Sequence, residues 1–216
     1  MAARTADTSN KPVVRAQPAA SLIALWVGSG EQRVLMGRRN PDLAFLPNVM
    51  VFPGGRLEAR DRQSVAELSP HAHDRLSQEI GARGNPFRFA ACAIRETNEE
   101  AGFDLARCLA GSLSYVARAI TPARFPKRYD TRFLLARIED GWSPRSSPGG
   151  DGELLDVGWY APGDLDRSEM HHVTRAIYDQ VMTAGFSRDE APILIADRTP
   201  RNWHGRPALR SKDLRT

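Results

Sequence analysis

"RETNEEAGF", residues 95–103, follows the small and apolar run "FAACAI" (89–94) without a break. The combined stretch 87–101 reads as one helix ended by Gly102, a residue suited to a left-handed cap. Positions 90, 94, 97 and 101 share one face and are small or apolar, so that face can lie close against a sheet. Glu96, Glu99 and Glu100 are three and four apart and project together from a neighbouring face. Like charges at that spacing repel by ~0.2–0.5 kcal/mol per pair on an isolated helix. A divalent cation reverses the sign, because Mg²⁺ takes carboxylate oxygens and completes its shell with water and phosphate oxygens. The alternative is a solvated acidic face. Arg95 stands four residues before Glu99 and can hold its carboxylate or form a surface pair.

A second element lies upstream. "VFPGGRLE" (51–58) sets Gly54 and Gly55 at the end of an apolar run, where the backbone can bend freely and approach an anion closely. An ordinary turn is the plainer reading of either glycine alone. Further organisation follows from patterning. "ASLIALWVG" and "QRVLMGRR" read as a hairpin around "SGE", "VMVF" as a strand, and "SLSYVARAIT", "TRFLLARIE" and "LLDVGWYAP" as three more. Ser69 or Pro70 marks a helix start, and "SEMHHVTRAIYDQVMTAG" reads as a closing helix. Strands and helices alternate without a regular βαβ rhythm, which predicts a mixed sheet between helices.

Composition sets the outer limits. The 216 residues suffice for one well-buried domain, with 41% hydrophobic and 26% charged residues. Net charge is +4, and only three of the 30 basic residues are lysines. A mildly basic surface suits a phosphate-bearing small molecule, and no basic run is dense enough to favour nucleic acid. Cys92 and Cys108 lack metal or redox spacing and read as reduced, packed thiols of a cytoplasmic protein. "LIALWV" (22–27) is too short to span a bilayer. Residues 1–19 read as a disordered tail, 20–197 as the domain, and 198–216 as an aperiodic extension.

Gly55, Asp61 and "RETNEEAGF" together resemble the Nudix box, G-x5-E-x7-R-E-U-x-E-E-x-G-U with U aliphatic. Arg95, Glu96, Glu99, Glu100 and Gly102 match residue for residue, and Phe103 fills the last apolar slot. Asp61 replaces a glutamate and Thr97 an aliphatic residue. Between Asp61 and Arg95 stand 33 residues where the pattern has seven, so the box is split by 26. The split, with "VLMGRRNPDLAFLPNVMVFPGGRLEARD" before it and "ITPARFPKRYDTRFLLA" after it, is similar to the Nudix branch of peroxisomal coenzyme A diphosphatase-like proteins.

The resemblance implies an α/β fold, a Nudix α/β/α sandwich with a mixed sheet, and a helical insertion at 62–88 acting as a lid or wall over the site. It implies hydrolysis of a diphosphate bridge in a nucleoside diphosphate derivative, with coenzyme A or its thioesters as the expected substrate. Alternatives are ADP-ribose, a dinucleotide or a nucleotide sugar, and, in another class, a non-catalytic nucleotide-binding module. Glu96, Glu99 and Glu100 are the expected ligands of Mg²⁺ or Mn²⁺. Glu96 or Glu153, the latter in "GGDGELLDV", is the general base. Gly54, Gly55, Arg38 and Arg39 are the expected substrate contacts, with Arg95 and Gly102 structural. In "RFPKRYDTRF", an adenine stacked on Phe125 or Tyr129 competes with a core role for Tyr129 and Phe133; Asp130 and Arg132 read as an internal pair. His71 and His73 lack further zinc ligands nearby, and His171 and His172 read as partly exposed helix residues. The expected partner is a small nucleotide, without membrane or nucleic acid, and a homodimer is an allowed assembly.

Overall fold

The computed structural model describes residues 14–28, 30–64, 66–105, 108–138, 150–183, 193–196 and 199–201. Most of the expected N-terminal tail, residues 139–149 and the end of the C-terminal extension lie outside them. Strand β1 (Gln17–Gly28) turns into β2 (Glu31–Arg39), with Gly28 opposite Glu31. It starts three residues inside the expected tail. Next come β3 (Met50–Val51), β4 (Gly54–Arg56), helix α1 (Pro70–Ile80) and helix α2 (Phe87–Ala101). β5 (Ser114–Ile120), β6 (Tyr129–Ile138), β7 (Leu154–Tyr160), α3 (His172–Thr183), β8 (Ile193–Ala196) and β9 (Thr199–Arg201) complete the order.

The strands form one sheet in the order β3-β2-β1-β6-β5-β8-β9, with β4 beside β1 and β7 beside β2. β1 runs parallel to β6 and β5 parallel to β8, while the other pairs are antiparallel, so the sheet is mixed. The glycines after Pro53 do not end the sheet as a turn would. They form β4, which pairs with Ala19–Ser21 of β1 while residues 25–28 of β1 pair with β2. β1 thus changes partner along its length, and Leu22 donates from its N–H to the Pro53 carbonyl at 3.0 Å where it does so. β8 and β9 carry no alternating pattern and were not expected.

Both faces of the sheet are covered. Leu22, Leu35, Leu134 and Ala136 pack under α1 and α2, whose Ala72, Leu76, Ala90 and Ala93 are fully buried. Ile23, Leu25, Val34, Val116 and Leu135 face α3 through Ala176, Ile177 and Val181. Burying one such Leu, Ile or Val contributes roughly 1.5–3 kcal/mol, and Leu22 beside Ile23 serves one face each. The fold is an α/β/α sandwich. No described helix is long and apolar enough to cross a membrane.

The expected lid is not one. Ser69 Oγ accepts the Ala72 N–H at 3.2 Å and starts α1. The helix then lays Ala72 and Leu76 against the core, and no described residue of 62–88 lines the cavity over β1 and β6. Glu79 of α1 is committed to the interior, accepting from Tyr115 Oη at 2.8 Å and Arg132 Nε at 3.1 Å. His73 stacks on Phe87 and pairs with Asp74, with no zinc-like grouping of histidines or cysteines among the described residues.

Candidate active site

Helix α2 ends as its residues dictate: Gly102 takes φ 61°, and its N–H returns to the Asn98 carbonyl at 3.0 Å. Ala90, Thr97 and Ala101 are buried against the sheet. The three glutamates do not share one fate. Glu96 and Glu99 reach the cavity, whereas Glu100 turns inward and is 2% exposed, with Oε2 accepting the Gly54 N–H at 2.7 Å. The reason is tertiary, since β4 lies across this part of α2. A Cβ on Gly55 would run into the Glu96 carboxylate, which lies where it does because this position is glycine.

Arg95 organises the rest. Its Nε and Nη2 donate to both oxygens of Asp61 at 2.8 and 3.0 Å, and its Nη1 to Glu96 Oε1 at 2.8 Å and Glu99 Oε2 at 2.9 Å. Asp61 is buried and also accepts the Glu58 N–H at 2.7 Å. Arg88 fastens the same loop through the carbonyls of Asp61 and Glu58, each at 2.9 Å. Asp61 is therefore a brace for Arg95 and does not line the cavity.

These surroundings set the charges. Burial pushes the Asp61 carboxyl up, but hydrogen bonds from Arg95 and Glu58 and the Arg95 charge outweigh it, leaving it below the ordinary value. Glu96 moves up, because burial and the charges of Glu99 and Glu153 exceed the help from Arg95. Burial, opposed by the Gly54 N–H and reinforced by the Glu96 charge, pushes Glu100 up to about 8.

The cavity of about 580 Å³ has the α3-side face of β1 and β6 as its floor. Strand alternation sends Tyr129, Thr131 and Phe133 into it, while Asp130 and Arg132 turn to the other side. There Asp130 accepts two bonds of 2.8 Å from Arg118, and Arg132 pairs with Asp130 at 2.9 Å. The same alternation separates the two arginines of β2. Arg39 lines the cavity, its Nε held by the Phe45 carbonyl at 3.0 Å. Arg38, expected as a substrate contact, does not line the cavity and is paired instead with Asp156 at 3.3 Å and Glu169 at 2.8 Å. Glu153 also lines the cavity, carried by a loop whose Asp151 N–H bonds the Glu99 carbonyl at 2.9 Å. Sequence reasoning missed Phe45, which meets Tyr129 edge-on at 5.2 Å, and the inward placement of His171, His172 and Thr174. Local pattern carries no trace of them, because a parallel bridge from Met50 to Met170 sets the start of α3 beside β3.

Among the described residues no three acidic, histidine or cysteine side chains form a ready-made metal site. Arg95 already sits among Asp61, Glu96 and Glu99. The donor chemistry nevertheless fits a hard divalent cation. Glu100 is a buried carboxylate with one hydrogen bond, Glu96 and Glu153 crowd it with like charge, and all offer oxygen.

No family model matches the chain. A curated Caenorhabditis elegans protein named as a nudix hydrolase is 31% identical over 121 residues, covering 50% of this chain and 41% of that protein. The chain thus spans less than half the length of the curated relative it matches. Among solved structures, a Nudix hydrolase from Alicyclobacillus acidocaldarius superposes with a TM-score of 0.50 at 22% identity, over 67% of this chain and 78% of the other. The Nudix domain of Shewanella oneidensis NrtR, complexed with ADP ribose, superposes with a TM-score of 0.53 at 11% identity, over 82% and 95%. The fold is that of the Nudix proteins. The curated relative and the Alicyclobacillus neighbour are both named as Nudix hydrolases.

Proposed function

We propose that the chain hydrolyses the diphosphate bridge of a nucleoside diphosphate derivative with the help of Mg²⁺ or Mn²⁺, and that coenzyme A or an acyl-coenzyme A is its substrate. One observation carries the reaction class: the carboxylates of Glu96 and Glu100 lie against the Gly54–Gly55 backbone beside a nucleotide-sized cavity that also holds Arg39 and Lys127. Glu96, Glu99 and Glu100 would hold the cation, which when bound neutralises the bridge and acidifies an attacking water. Arg95 fixes the directions of Glu96 and Glu99. Glu153 lines the cavity without a side-chain hydrogen bond among the described residues, which favours it over Glu96 as the group that takes the proton from water. Phe125 and Tyr129 offer apolar surface to a base or an acyl arm.

The split box and its flanks support coenzyme A. ADP-ribose is the second reading, favoured by the ligand of the Shewanella domain. Two buried free thiols, Cys92 and Cys108, accord with a cytoplasmic setting. The test is product identification with coenzyme A, acetyl-coenzyme A, ADP-ribose and NADH in the presence of Mg²⁺, with Glu99→Gln as control. Release of adenosine 3′,5′-bisphosphate from coenzyme A, lost in the variant, is the expected result. AMP from ADP-ribose or NADH moves the substrate to the second reading. Binding without turnover by either protein replaces the enzyme with a binding module.

A further inference from the structure

The start of α3 is a part of the cavity that the diphosphate chemistry leaves unused. It lies on the sheet face opposite α2, whose side supplies Glu96 and Glu99. The first intrahelical bond there runs from the Arg175 N–H to the His171 carbonyl at 2.9 Å, so the N–H groups before it have no carbonyl one turn back. That of Val173 reaches only His171 Nδ1, at 3.4 Å. Thr174 is 6% exposed and lines the cavity, yet its hydroxyl has no hydrogen-bond partner among the described residues. The side chain is otherwise packed away, so the cavity is where a ligand or water can complete that hydroxyl.

The electrostatics point to an anion. The first turn of α3 contains no acidic residue. The carboxylates just before it are committed elsewhere, Asp166 to the Ser168 N–H at 2.8 Å and Glu169 to Arg38 at 2.8 Å. His171 and His172 stand with ring centroids 4.0 Å apart, and both line the cavity. The acidic lining, by contrast, comes from α2 and from the segments holding Glu58, Asp151 and Glu153. An anionic group is therefore repelled from one part of the cavity and drawn to the other by the helix dipole.

We propose that the first turn of α3, with Thr174 and His172, is a subsite for a phosphomonoester carried by the nucleotide, apart from the diphosphate that is cut. This rests on the nucleotide reading above and sharpens it, because it selects substrates with an additional phosphate outside the bridge.

Calorimetric titration of the full chain with adenosine 3′,5′-bisphosphate and with AMP tests it without requiring turnover. Wild type should bind the bisphosphate about tenfold more tightly than AMP, and Thr174→Val and His172→Gln should each cut that ratio to about twofold with AMP affinity unchanged. Thr174→Ser, which keeps the hydroxyl, should retain the ratio and covers the case in which the valine variant does not fold. Equal wild-type affinity for the two ligands, no binding of the bisphosphate, or a ratio untouched by the variants overturns the subsite. Should the ratio behave as expected while none of the four diphosphates is cleaved, the hydrolase reading fails and the subsite stands. Cleavage of coenzyme A with an unaltered ratio in the variants removes the subsite alone.

Discussion

Arg95 ties Asp61 to Glu96, donating from Nε to Asp61 Oδ1 and from Nη1 to Glu96 Oε1, each at 2.8 Å. One guanidinium thereby links a loop that precedes the inserted helix to the helix that follows it. Lysine cannot reproduce that planar fork. Arg95→Met strands the buried Asp61 and should cost on the order of 3 kcal/mol in urea unfolding. Asp61→Asn keeps the shape and part of the hydrogen bonding, so it should cost less. Equal stability of Arg95→Met and wild type would show that the brace is dispensable.

Two carboxyls give stability opposite dependences on pH. Asp61 is held below its ordinary value, so its contribution is present above that value and is lost as pH falls through the depressed one. Glu100, raised from 4.5 to about 8, does the reverse: its contribution is complete below 4.5 and disappears as pH climbs to about 8. Glu100→Gln should therefore flatten the decline in Tm between pH 5 and 8 in metal-free buffer. A parallel decline in wild type and variant would place the titration elsewhere. Glu100→Gln should also lose stabilisation by added Mg²⁺, which for wild type amounts to about 2.7 kcal/mol at one hundred times Kd.

Gly55→Ala is a test of position. The new methyl would collide with Glu96 Oε1 and must displace that carboxylate or the β4 backbone. A displacement near 1 Å is expected to lower kcat on the order of 100-fold, with KM changed far less. Full activity in the alanine variant would mean that the Glu96 carboxylate works equally well from another position.

Much of this site is local enough to read in the sequence. The helix 87–101, its glycine cap and the pairing of Arg95 with Glu99 follow from helical spacing alone. The inward turn of Glu100 does not, because β4, 46 residues upstream of Glu100 at Gly54, decides it. Arg38 and Arg39 look equivalent until the pairing of β2 with β7 fixes which side faces the cavity. His171 and His172 are half-buried, as expected of partly exposed helix residues, but that they line the cavity is not legible, because nothing near them in sequence records the contact of Met170 with Met50. The inserted helix looked like a lid for the same reason: its amphipathic pattern is plain, and the partner of its apolar side is not.

The two arginines of β2 give a paired test. Arg39→Ala removes a cavity-lining cation and should raise KM about tenfold, close to the worth of one charge-assisted hydrogen bond. Arg38→Ala breaks partly exposed pairs with Asp156 and Glu169 and should leave KM within about twofold, with at most ~1 kcal/mol lost in stability. Steady-state kinetics on one accepted substrate separates them. The reverse order of effects would mean that β2 shifts when substrate binds.

Glu79 separates the fold from the site. Its carboxylate takes Tyr115 Oη at 2.8 Å and Arg132 Nε at 3.1 Å, and Arg132 in turn lies 4.7 Å over the Phe89 ring of α2. The network fastens α1 to β5, β6 and α2 on the side of the sheet away from the cavity floor. Glu79→Leu leaves Arg132, 4% exposed, short of a partner, and should cost about 3 kcal/mol by denaturant unfolding. Asp130 still pairs with Arg132, which keeps the loss from being larger. Because no residue of α1 lines the cavity, KM should stay within about twofold at temperatures where the variant is folded. A large change in KM with little loss of stability would return the inserted helix to the role of substrate wall. A large loss of stability at constant KM makes it a clamp on the sheet, and substrate choice then rests with β6 and the start of α3.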